Sequence, residues 1–116
     1  MLAALAVGLG AFGAHALKAR LSVEMLAVWQ TAVQYHAWHA LGLLAVGLAG
    51  HHLEGSWLRA AGWLLLAGIV LFSGSLYALA LGAPRALGMA TPVGGLAFIL
   101  GWLALALAFI CARTPA

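Results

Sequence analysis

Charge is missing from nearly the whole chain. Residues 1–17, 25–50, 60–84 and 86–112 contain no Asp, Glu, Lys or Arg. A helix rises about 1.5 Å per residue, so about 20 apolar residues cross a bilayer core about 30 Å thick. The second, third and fourth stretches exceed that length. The first is short, and spans only with little tilt or with local thinning of the bilayer. A water-soluble fold cannot absorb such a sequence: 66% of residues are hydrophobic and 6% charged, against about 25% charged in soluble domains. Chains this small bury only about two-thirds of their unfolded surface, so lipid must be the solvent for much of the exterior. The expected fold is an all-α membrane protein in one domain, with helices at about 1–17, 25–50, 57–81 and 92–112.

The links between these stretches are short, which predicts antiparallel neighbours and an up-down-up-down bundle. In the first link, 18–24, Ser22 is a plausible N-cap for the second helix. The second link is 51–56. The third, 82–92, holds Gly82, Pro84 and Gly88, and Thr91-Pro92 reads as an N-cap followed by proline at the first helical position. Ala14-His15-Ala16 imitates a signal cleavage site, but no basic residue precedes the apolar run, so a retained helix is the expectation. Lys18, Arg20 and Arg85 lie in the first and third links, while Arg59 and Arg113 lie on the other side. Three against two places the first and third links in the cytoplasm and both termini outside.

Helices in lipid associate mainly by close packing of small residues. In the fourth stretch Gly94, Ala97, Gly101, Ala104 and Ala108 recur at spacings of three and four, predicting a seam that faces protein, with Leu100, Leu103 and Leu107 turned to lipid. The second stretch offers a similar seam at Thr31, Tyr35, Trp38, Gly42, Ala45 and Ala49. Trp29 and Trp57 fall near expected membrane boundaries, where an amphipathic ring is favoured.

Polar groups inside the spans are costly and therefore informative. Those expected on the side of the first and third links are His15, Gln34, Tyr35, His39, Ser73, Ser75, Tyr77 and Thr91, a candidate polar intramembrane cluster. It reads most simply as a hydrogen-bond network fixing helix register; the sharper reading is a pocket contacted by His15, Tyr35 and His39. Histidine also raises metal or haem ligation. However, His36 and His39 lack an accompanying carboxylate or thiolate, and His51-His52 with Glu54 reads as an exposed loop. No catalytic residue, cofactor or metal is expected. Two carboxylates, both at links, and one cysteine, Cys111, argue against acid–base, disulfide and paired-thiol chemistry. The five basic residues are scattered, which argues against nucleic acid.

Several of these segments also carry a resemblance. Gly10-Ala11-Phe12-Gly13-Ala14-His15-Ala16-Leu17, Trp29-Gln30-Thr31-Ala32-Val33-Gln34-Tyr35 leading to His39-Ala40-Leu41, Phe72-Ser73-Gly74-Ser75-Leu76-Tyr77 and Thr91-Pro92-Val93-Gly94-Gly95 occur in order along nearly the whole chain. They resemble the small membrane proteins of domain of unknown function 423, whose animal members are called transmembrane protein 256. The resemblance implies a four-helix protein of the bacterial inner membrane and carries no activity to transfer. Three functions follow as expectations. The leading one is a non-enzymatic interaction or accessory protein, with membrane lipids and a homo-oligomer or larger membrane complex as partners. The alternatives are a channel or transporter built from several copies, and a lipid- or quinone-binding protein with Phe12, Tyr35, Trp38 and Tyr77 lining its groove.

Overall fold

A computed structural model describes residues 1–112; Arg113, counted above as a topology determinant, lies outside the described residues. The described residues form helices and no strand. There are four helical segments. The first is α1 (Leu2–His15), prolonged by a 3-10 turn at Leu17–Ala19, and the second is α2 (Val23–Ala49). The third joins α3 (Ser56–Gly68) to α4 (Gly74–Ala80) through a single π turn at Ile69–Ser73. The last is α5 (Ala90–Ala112), entered by a 3-10 turn at Arg85–Met89. Three segments, Leu2–Ala19, Ser56–Ala80 and Arg85–Ala112, are long and apolar enough to cross a membrane. The remaining segment, α2, carries Gln30, Gln34, His36 and His39, whose polarity offsets its leucines.

Local chemistry sets the ends. Ser22 caps α2, its hydroxyl accepting a hydrogen bond from the Met25 amide at 3.1 Å. Gly55 before α3 and Gly82 after α4 both have positive φ, 127° and 102°, a conformation only glycine adopts cheaply. The start of α5 differs from expectation. The helix begins at Ala90, so Pro92 is its third residue, where its missing amide is still one of the helix's free donors. Thr91 does not cap it, because it lies inside the helix as its second residue; its hydroxyl bonds Ser75 instead.

Packing follows chain order: α1 lies on α2, α2 on α3 and α4, and α3 with the π turn on α5. The seam of α5 is buried at all five positions, Gly94, Ala97, Gly101, Ala104 and Ala108, while Leu100 and Leu103 are exposed. Leu65 packs against Gly101, and the Phe98 ring lies over Gly68. Gly94 permits the closest approach to a neighbouring backbone. A β-carbon there would stand 2.3 Å from the Phe72 amide nitrogen and 2.8 Å from its α-carbon, so two backbones meet at this point.

The seam expected on α2 is displaced. Trp38 and Ala45 are exposed, and the buried face runs instead through Trp29, Ala32, His36, His39, Ala40, Gly42 and Ala49. The reason is that polar and aromatic side chains with partners can face inward. Trp29, assigned above to a membrane boundary, is 2% exposed: its ring lies over Gly13, and its Nε1 donates to the Leu9 carbonyl at 2.9 Å. The outward surface is apolar, with Trp63, Val70, Leu96, Ile99, Leu103 and Ile110 all exposed.

Candidate functional site

The intramembrane polar residues divide into three sets rather than one cluster. The first set ties the helices together. Trp29 joins α2 to α1, as described above. The Ser73 hydroxyl, fully buried, donates to the Ala32 carbonyl at 2.8 Å and so joins the π turn to α2. His36 Nδ1 and the Tyr77 hydroxyl stand 2.8 Å apart, joining α2 to α4. Tyr77 can reach His36 because helical side chains lean toward the N-terminus of their own helix; on the way its ring packs on Trp29 with centroids 4.7 Å apart. Ser75 and Thr91 share a hydrogen bond of 2.6 Å between α4 and α5. Each successive pair of segments is thus tied by at least one side-chain hydrogen bond.

The π turn makes this possible. Widening the helix by one turn places Ser73 against α2 and Phe72 against Gly94 of α5 at once. Such turns are rare and concentrate at functional positions. His36, 2% exposed, carries the one irregularity: its Nε2 is sealed from solvent without a hydrogen-bond partner among the described residues. A buried polar atom left unpaired costs about 1–3 kcal/mol.

The second set, Tyr35 and His39, faces α5. His39 Nδ1 donates to the Tyr35 carbonyl at 2.6 Å, which fixes the ring. The imidazole stacks on Phe98, with centroids 3.5 Å apart and planes 12° apart. Trp102 lies at 5.8 Å from the same ring, and Tyr35 packs on Phe72 at 4.5 Å. The α2 and α5 backbones hardly touch, so these rings border a cleft of about 540 Å³ between them.

The third set faces outward. His15 is exposed at the end of α1. Gln34 and Gln30 are exposed on α2, where with Thr31 they line a groove against Gly10 and Ala14 of α1. A contact among His15, Tyr35 and His39 is therefore not formed. Nor do Phe12, Tyr35, Trp38 and Tyr77 line one groove: Phe12 packs on Trp29 and Tyr77 turns inward to His36, while Tyr35 and Trp38 pack together. Trp29, expected at a membrane boundary, and His36, weighed only as a metal or haem ligand, were not in the candidate cluster. Their signal was a spacing of seven residues with Ala32 between them, which places all three on one helix face. Among the described residues, no three His, Cys, Asp or Glu side chains are grouped to hold a metal ion.

A family model described as "Protein of unknown function (DUF423)" matches residues 9–95. The chain is 51% identical over 109 residues to the UPF0382 membrane protein YwdK of Bacillus subtilis (strain 168), covering 93% of this chain and 89% of that protein. It is 51% identical over 108 residues to the UPF0382 membrane protein SERP0230 of Staphylococcus epidermidis, covering 91% and 86%. A third relative, the UPF0382 membrane protein SAB0533 of Staphylococcus aureus, is 46% identical over 108 residues, with the same coverage. No solved structure matches. Membrane-named relatives of nearly equal length, together with three helices fit to span, make this a multi-pass bacterial membrane protein. The chain belongs to the DUF423 family.

Proposed function

We propose that all four helical segments cross the bilayer in antiparallel order, and that the protein is a non-enzymatic interaction protein that assembles with further copies of itself. The case for α2 as a span is that it is 27 residues long, about 40 Å at 1.5 Å per residue. Its histidines turn inward, and Leu41, Leu44 and Leu48 turn outward. Contacts between Gly13 and Trp29 and between Gly10 and Val33, between Gly42 and Leu65 and between Val46 and Gly62, and between Phe98 and Gly68 and between Gly94 and Phe72, support the alternation of direction.

The observation that carries the assembly reading is the exposure of Gln30 and Gln34 on one face of α2. Gln34 lies 11 residues after Val23, about 16 Å along the helix axis and so near mid-bilayer. Lipid offers an amide no hydrogen bond, and each unsatisfied group costs several kcal/mol. An amide both donates and accepts, so the same glutamine on a second copy completes it across a two-fold axis, the commonest symmetry of homo-oligomers. Gly10 and Ala14 beside it leave room for another helix. Cysteine substituted at Gln34 should cross-link between copies in native membranes, while cysteine at Trp63 on the far face should not. Replacing both glutamines with leucine should shift the protein toward monomer in native mass spectrometry from lipid. A wild-type protein that stays monomeric at every protein-to-lipid ratio defeats the proposal.

A further inference from the structure

We propose that the cleft between α2 and α5 binds a hydroquinone: a flat aromatic diol on an apolar tail, held by His39 and Tyr35. The first ground is the state of the two polar groups. His39 Nδ1 is already used as a donor to the Tyr35 carbonyl. In a neutral imidazole the other nitrogen is then an acceptor. Nε2 has no partner among the described residues, and neither has the Tyr35 hydroxyl; both residues line the cleft. The site therefore presents one acceptor and one hydroxyl donor. Phenolic hydroxyls suit both, since each can donate its proton to Nε2 or accept from Tyr35.

The second ground is the shape and character of the walls. Phe72, Phe98 and Trp102 supply aromatic surface, and aromatic pairs gain by offset or edge-on stacking. The cleft is open along one side and offers about 540 Å³, within the range of roughly 300–1,000 Å³ typical of small-molecule sites. Leu96 and Ile99 form its outer lip and are exposed, so an apolar tail leaves directly into lipid. The inference does not depend on assembly, because Gln30 and Gln34 belong to a different groove.

The recognition logic predicts a preference. A quinone has only acceptor oxygens: it can accept from Tyr35 but cannot donate to Nε2, so the reduced ring should bind more tightly than the oxidised ring. An aliphatic lipid alcohol supplies the hydroxyl but nothing to stack. The test uses the full chain in nanodiscs of synthetic phosphatidylcholine, titrated with a decyl-tailed benzohydroquinone under anaerobic conditions. Parallel titrations use the corresponding quinone and dioleoylglycerol. Binding is read by isothermal titration calorimetry against empty nanodiscs. We expect saturable binding of one hydroquinone per chain, at least tenfold tighter than quinone or dioleoylglycerol.

Tyr35→Phe removes a hydroxyl that bonds nothing else in the described structure, so the fold should persist while affinity falls about three- to tenfold. His39→Phe keeps a stacking ring and should abolish the preference for the reduced form. Tyr77→Phe, outside the cleft, should leave affinity unchanged in any folded sample. Uptake no greater than in empty nanodiscs would overturn the proposal. So would equal affinity for quinone and hydroquinone, tighter binding of dioleoylglycerol, or a Tyr35→Phe protein that binds like the wild type.

Discussion

Gly94→Ala is the substitution whose cost can be worked most directly from the structure. The new β-carbon would stand 2.3 Å from the Phe72 amide nitrogen, against the 3.4 Å at which ordinary contact begins. Phe72 is held in the π turn, and the atoms it presents are its backbone nitrogen and α-carbon and the β-carbon fixed to them, so no side-chain rotation relieves the clash. The helices must separate there by about 1.1 Å, the difference of those two distances. Overpacking of this kind costs about 1–3 kcal/mol, and a contact between two rigid backbones belongs at the upper end. The Ser75–Thr91 bond sits one turn away at 2.6 Å. Lengthened by the same amount, it passes the 3.5 Å limit of a hydrogen bond, which adds about 0.6 kcal/mol in a membrane protein. The expected loss is therefore about 3–4 kcal/mol, measured by steric trapping or reversible denaturation in lipid–detergent bicelles. Gly47→Ala is the matched control, because a β-carbon there meets nothing within 4 Å. It should be neutral or stabilise by up to about 1 kcal/mol through helix propensity. A Gly94→Ala protein within about 0.5 kcal/mol of wild type, the usual scatter of surface substitutions, would refute the claim that backbones meet at this point.

Other substitutions test the ties between helices. Gly13→Ala places a β-carbon 2.5 Å from the Trp29 ring; the ring should tilt away from the Leu9 carbonyl, and a Trp29-only variant (the other four tryptophans replaced by phenylalanine) should show red-shifted fluorescence. Ser73→Ala removes the bond to the Ala32 carbonyl and should cost about 0.6–1.5 kcal/mol in the same unfolding assay. Tyr77→Phe leaves both ring nitrogens of His36 without a partner and should cost about 1–3 kcal/mol, more than the same change at Tyr35. Trp63→Leu changes only an exposed ring and should stay within about 0.5 kcal/mol of wild type.

How much of this was legible in the sequence depended on the chemistry of each helix. In α5 the side chains that allow close approach are glycine and alanine, and their spacing of three and four named five of the seven buried positions, leaving out Phe98 and Leu105. In α2 the same search failed. It took small and amphipathic residues as one stripe and passed over Trp29 and His36, whose burial depends on partners in other helices, Leu9 and Tyr77. No local pattern announces such partners. The π turn was equally hidden, because its cause is tertiary: Ser73 meets α2 while Phe72 meets α5. Thr91 read as a cap for the same reason, its true partner lying 16 residues earlier at Ser75. The candidate polar residues were therefore found as residue types, but not as a grouping. Helical spacing says which side chains share a face, and it does not say which neighbour that face meets.

The order in which the helices touch bears on how the chain comes to be folded. Since α1 meets α2, α2 meets α3 and α4, and these meet α5, no principal contact waits for a distant segment. Contacts close in sequence carry a small loop-closure cost and form fast. As the chain leaves the ribosome, α1 and α2 can settle as a hairpin, with Trp29 already bonded to Leu9, before α3 is made. Each later helix then finds a finished surface to dock on. The last such surface is offered by α3 and the π turn to α5, and Gly94 is where it brings the two backbones closest.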